Sequence, residues 1–258
     1  MSPTTQSVLS LFFMILVGFY GNKKKIITYE INKGLRNILI QIALPFMIVT
    51  SFIFTYDKRI VGFPILMSIY GSEGVVYGSI FNMFFVVFLW TYGVMLFEKN
   101  LPHKNFFSEA KKMLLNPSII AVFIGIIIMI FHIQLPSALL SPMTSIGNMT
   151  GPLSMIIIGG ILAHAKITDY LGDWTIYYGL TTKLLIIPLI IYFIFSLLGN
   201  TSIPINSVIL MTAMPASAMT SIFAQSFDTE PDYAAVLVSL TTLLSLITIP
   251  LLLKIIVS

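Results

Sequence analysis

The sequence contains no cysteine. That excludes a disulfide framework, thiolate metal sites and cysteine nucleophiles. It is also short of charge. Only 9% of its 258 residues are Asp, Glu, Lys or Arg, against about 25% in an ordinary soluble domain. So few charges cannot clothe a water-soluble surface, and the 57% that are hydrophobic need another solvent. There is no HExxH pair and no GxxxxGK[ST] loop, and the acidic residues lie in connectors rather than in pairs inside apolar runs. A metallohydrolase, a self-contained ATP motor and a paired-carboxylate enzyme are excluded, and no metal or cofactor is expected. The net charge of +4 is gathered into a few connectors, which argues against nucleic acid as a partner. No positive charge precedes residues 7–20 and Lys23, Lys24 and Lys25 follow them, the reverse of a cleavable leader.

What the chain has is long apolar runs. A helix needs about 20 apolar residues to cross a bilayer. The runs predict spans over 5–20, 35–54, 75–97, 117–133, 146–164, 176–198, 205–224 and 233–256, with membrane lipid as the surrounding partner. One further piece, 60–70, is apolar but half a membrane thick. Loops 21–36 and 98–112 hold most of the Lys and Arg and are expected in the cytoplasm of a cell (plasma or inner) membrane. Loops 133–145 and 199–204 have neither and are expected outside, which puts both termini outside.

Two segments occur twice. "ALPFMIVTSF" (43–52) aligns with "TGPLSMIIIG" (150–159), and "FPILMSIYGSEG" (63–74) aligns with "MPASAMTSIFAQ" (214–225). These pair Pro45 with Pro152 and Pro64 with Pro215. Pro45 and Pro64 are 19 residues apart in one half, and Pro152 and Pro215 are 63 apart in the other. The difference of about 44 residues is one span with its loops. Parity agrees, because two cytoplasmic loops need an even number of crossings between them; the alternative is that 60–70 is re-entrant and does not cross. The expectation is an all-α polytopic membrane protein, an inverted-repeat secondary-transporter fold of five plus five helices with one first-half helix missing between about Lys58 and Val61. Its parts are a first repeat over 1–98, a loop over 99–116 and a second repeat over 117–258. Proline breaks a helix in each half, and a broken helix frees backbone groups that lipid cannot satisfy. Such breaks mark substrate sites at the midplane of transporters.

The residues that carry these features resemble the auxin efflux carrier family: "IALPFMI", "GFPILMSIYGSEG", "GPLSMIIIGGILA", "KLLIIPLI", "MPASAMTSIFAQSF" and "YAAVLVSLTTLLSLITIPLL". The order is kept over nearly the whole chain. The resemblance implies ten-span carriers whose fourth and ninth spans break and cross at proline, here Pro64 and Pro215. It also implies an organic anion substrate such as a carboxylate. Two positions depart from it. "DKRIVGFP" stands where members have an Asn-Thr/Ser-Gly stretch, and Met219 stands where many have Asn.

Candidate site residues each have a structural reading beside the functional one. Gly62, Pro64 and Ser68 surround the first proline, and Pro215 is the second; either proline could be an ordinary kink. Ser217, Thr220 and Ser221 line a site or pack between helices. Lys183 faces a cavity as a basic group or snorkels to the interface. Asn82 and Asn148 contact substrate or bond between helices. His132, His164 and Trp174 fit interfaces, and Trp90 fits packing. The functional expectation is an alternating-access carrier or permease of small organic anions, with a coupling proton or sodium ion and a homodimer as further partners to test. A sodium- or proton-coupled symporter of the bile-acid type and a transport-inactive remnant are the alternatives.

Overall fold

The computed structural model describes residues 3–53, 64–98, 116–199 and 202–257. All its regular elements are helices. We label them α1 (Pro3–Lys23), α2 (Tyr29–Phe52), α3 (Pro64–Phe88), α4 (Pro117–Ile130), α5 (Ser137–Leu162), α6 (Ile167–Leu171), α7 (Trp174–Leu197), α8 (Ile203–Thr212), α9 (Ala218–Ser226) and α10 (Pro231–Val257). Five stretches among the described residues are long and apolar enough to cross a membrane: α2, Val76–Phe97, α5, α7 and most of α10.

Large apolar side chains cover the outside, among them Phe84, Phe88, Tyr92, Phe193 and Leu197. In water this surface would aggregate; in lipid it is solvated. The interior is built where backbones approach. α1 packs on α5 and the second half of α2 packs on α4. Gly18 of α1 lies against the backbone of Ile156, and Gly159 of α5 lies against the backbone of Ile15 and Phe19. Neither position has room for a Cβ. Without a hydrophobic drive between helices in lipid, such close backbone approach is what holds a pair together.

Proline shapes two spans without ending them. Leu39–Ala43 and Thr182–Ile186 are π-helical turns, each followed at the second residue by a proline, Pro45 and Pro188. Proline donates no N–H and crowds the carbonyl a turn before, so the ladder widens by one residue. The Ser118 hydroxyl of α4 reaches the Ile40 carbonyl, five residues before Pro45, at 3.4 Å.

The structure moves several boundaries, and the span expected over 35–54 already begins at Tyr29, inside the connector expected over 21–36. The span expected over 146–164 begins at Ser137, so the uncharged connector expected over 133–145 shrinks to 131–136. Its Ser141, Thr144 and Ser145 read as loop in the sequence, but the hydroxyls of Thr144 and Ser145 bond back to carbonyls of their own helix. The half-length piece expected over 60–70 is helical from Pro64, and its chain reverses at Gly71 (φ 62°, ψ −150°). Leu66 consequently packs against Gly78, twelve positions on. The place of the expected missing span, between about Lys58 and Val61, lies outside the described residues.

Three connectors share one end of the bundle. Arg36 at the start of α2 donates to the Gln225 carbonyl at 2.8 Å. Tyr170 of α6 meets Tyr233 of α10 edge to face. Partial burial and then the carboxylates of Asp232, Glu230 and Asp169 push the Tyr170 phenol above its ordinary range.

Candidate functional site at the broken helix

The run 203–226 is long enough to cross a membrane but does not do so as one helix. α8 ends at Thr212 and α9 begins at Ala218, with Pro215 between them. α8 has ten residues, a length of about 15 Å at 1.5 Å per residue. That is half of a hydrocarbon core of about 30 Å. The break therefore falls near mid-depth, where no water is available to satisfy a freed backbone group.

Side chains from two other elements, and one from the break itself, meet that need. Lys183, in the π-turn of α7, donates from Nζ to the Thr212 carbonyl at 3.0 Å. It sits nine positions into α7, also about 14 Å deep by the helical rise. The alternative of snorkelling to the interface is not what its side chain does. A cation at the carboxyl end of a half-helix is favoured by the helix dipole. Thr241 of α10 accepts the Ala216 N–H at 3.2 Å and donates to Val238 O at 2.9 Å. Ser217 caps α9, its hydroxyl accepting the Met219 N–H at 3.2 Å, a cap worth about 1 kcal/mol. At the far end of α9, Arg36 holds the Gln225 carbonyl. Each half of the broken helix thus ends on a cation.

Among the described residues, the buried hydroxyls of Thr182, Ser207, Ser221, Ser239 and Thr248, on α7 to α10, have no hydrogen-bond partner. A buried polar group left unpaired costs about 1–3 kcal/mol. Hydroxyls in helices ordinarily bond back to a carbonyl one turn earlier, as Thr212 does to Ile209 at 2.7 Å.

The first proline segment reaches the same place. Leu66 packs with Leu210, Met211 and Ile249, and Ile69, Tyr70 and Met214 join them. The arm that starts at Pro64 therefore lies against the end of α8 and the residue preceding Pro215. The structure brings Lys183, Pro215, Ser217, Thr220 and Ser221 to the break, with Thr220 donating its N–H to Ser217 O at 3.0 Å. Asn82 is half-buried on α3. Asn148 is exposed on α5, on a strip with Ser141, Thr144 and Ser145. Gly62 lies outside the described residues, as does the side chain of Ser68. Trp90 is packed as expected, edge to face on Phe223 with centroids 5.0 Å apart.

Three residues that bond at the ends of the broken helix are not among the candidates read from the sequence: Arg36, Thr212 and Thr241. Arg36 read as one of several loop cations. Thr241 belongs to "SLTTLLS" (239–245), whose hydroxyls at intervals in an apolar span were the available signal.

A helical bundle with its apolar side chains outward and a helix broken at mid-depth, held by a half-buried lysine, is that of an all-α polytopic membrane protein. Comparison with known proteins agrees. The family described as "Membrane transport protein" matches residues 101–253. The chain belongs to that family, the auxin efflux carrier family of the resemblance. A relative from Methanothermobacter thermautotrophicus, described as an uncharacterized transporter, is 25% identical over 198 residues. The match covers 76% of this chain and 63% of the relative, so the chain spans less than two thirds of the relative's length. The family is one of membrane transport proteins, not of enzymes.

Proposed function

We propose that the protein is a secondary carrier of small organic anions such as carboxylates, working by alternating access, with its site where the break at 213–217 meets the arm that starts at Pro64. The observation that carries this reading is the Lys183 ammonium at the Thr212 carbonyl, in the same gap into which α9 opens its amino end. Placing a charge at the centre of a span costs about 2.5–3.5 kcal/mol. One carbonyl is a modest return for that, whereas a visiting carboxylate would pair with the ammonium and with the amino end of α9.

The inverted repeat is part of the proposal, with repeats over 1–98 and 117–258 about a cytoplasmic 99–116. Packing of α1 on α5 and of α2 on α4 is the reciprocal pairing that such a repeat requires. Both termini then lie outside a plasma or inner membrane. The coupling ion, proton or sodium, and a homodimer belong to the same proposal. One observation favours the remnant reading: the proline spacing short by about 44 residues.

The experiment is uptake of radiolabelled malonate and malate into proteoliposomes that hold the purified chain, against Lys183→Gln at equal incorporation. Uptake above empty vesicles is expected, with a loss of at least tenfold in the variant. Uptake unchanged by Lys183→Gln would remove the lysine from the site. No carboxylate uptake by the parent chain would favour the remnant.

A further inference from the structure

Along the carboxyl-terminal half of α1 runs an open apolar groove of about 450 Å³, walled by Phe13, Leu16, Val17 and Tyr20 and closed by Ile26 and Ile27. The turn after α1 builds its closed end. Lys25 takes a positive φ of 59°, and the N–H groups of Ile26 and Ile27 both return to the Gly21 carbonyl, at 2.9 and 3.0 Å. The two isoleucines are thereby folded back beside α1. Ile27 Cδ1 comes within 3.0 Å of where a Gly21 side chain would begin, so Ile27 lies close against α1. Phe13, Tyr20 and Ile26 remain more than 60% exposed.

Directly over the closed end stand Lys23, Lys24 and Lys25, all exposed. Two of them are held against aromatic rings of the same helix, Lys23 Nζ 5.6 Å from the Phe19 centroid and Lys24 Nζ 5.6 Å from that of Tyr20. Cation–π contact holds each ammonium near the helix surface. Glu30 is the one acidic residue in 21–36, and Arg36 is already engaged by Gln225. The ten positions from Phe13 to Lys23 span about 15 Å, one leaflet of a hydrocarbon core about 30 Å thick.

We propose that this groove holds one anionic phospholipid, its phosphate on Lys23, Lys24 and Lys25 and one acyl chain along Phe13, Leu16, Val17 and Tyr20. The apolar wall alone gives no preference, because bulk lipid tails are as apolar as the groove. Selectivity comes from the lysines, each worth about 1 kcal/mol against an anionic surface. A second copy of the chain fits less well. A two-fold pair through this groove would bring identical patches, and so two lysine clusters, face to face.

Native mass spectrometry of the full chain in detergent, offered phosphatidylglycerol and phosphatidylcholine of equal chain length, tests this. The expected result is one retained phosphatidylglycerol with at least a tenfold preference. K23Q/K24Q/K25Q should lower the preference at least tenfold, and K166Q/K254Q should leave it unchanged. Should the triple variant fail to fold, 0.5 M ammonium acetate on the parent chain replaces it, since screening must lower the preference in the same way. Val17→Trp, which fills the groove, should reduce retention of both lipids. Equal retention of the two lipids by the parent chain would overturn the proposal, as would a preference indifferent to the lysines. So would displacement of the lipid by millimolar inorganic phosphate, which would assign the lysines to a free anion. A dimer lost with Val17→Trp would assign the groove to a second copy.

Discussion

Two glycines set the distance between α1 and α5. At Gly159 an added Cβ would meet the Ile15 carbonyl and the Phe19 amide, and at Gly18 the backbone of Ile156. Backbone cannot swing aside as a long side chain does, so the helices themselves would have to part. Overpacking of this kind costs about 1–3 kcal/mol or more. Gly159→Val is therefore expected to lower the thermal midpoint of the purified protein markedly in a tryptophan-fluorescence melt. Gly151→Ala, on the same helix but with open space around it, should change the midpoint little. Gly160 belongs to the same contact. It leaves room for Asn32, whose amide donates to Ile157 O at 3.3 Å. At this scale the sequence was partly readable. "IIIGGIL" marks small residues in an apolar span, but which helix they face depends on a partner 140 positions away.

At the scale of elements, prolines do three different things in one chain. Pro45 and Pro188 follow π-turns and leave their spans continuous. Pro250 sits inside α10 without breaking it. Among the described residues, Pro215 alone falls in a gap, from Ala213 to Ser217, between two helices that would otherwise be one. The difference lies in what receives the freed groups. Around Pro215 these are Lys183, Thr241 and Ser217. Pro215→Ala restores an N–H and lets the ladder close, so the groups now held apart would pair with one another. Carboxylate uptake is expected to fall at least tenfold at unchanged membrane insertion, with Pro250→Ala near the parent value. Equal losses in the two variants would make Pro215 a structural kink.

The break was legible from a proline among small hydroxylated residues, and so were most spans, because length and apolarity are one-dimensional properties. The start of α5 was not, because Ser137–Ser145 carries enough hydroxyls to resemble a loop and its helix is supported by bonds the sequence does not display. Arg36 on Gln225 spans 189 positions, and periodicity gives no hint of it.

Over the whole molecule, cations are distributed with a purpose that composition alone hides. Lysine 23, 24 and 25 stand at one end of α1, Arg36 closes α9 at the same end as the α6 connector, and Lys183 is the one cation described at mid-depth. A carrier of anions needs that last charge to be reachable by solute from an aqueous path and unavailable to lipid. The absence of cysteine makes this directly measurable. Ala216→Cys places one thiol in the gap, beside Thr241, and Leu251→Cys places one on the exposed face of α10. The measurement is the rate at which N-ethylmaleimide alkylates each thiol in proteoliposomes, with and without saturating malonate. Malonate is expected to slow alkylation at position 216 at least fivefold, to leave position 251 unchanged, and to lose its effect when Lys183→Gln is added. Alkylation at 216 that malonate does not slow, in vesicles that take malonate up, would place the anion site elsewhere in the protein.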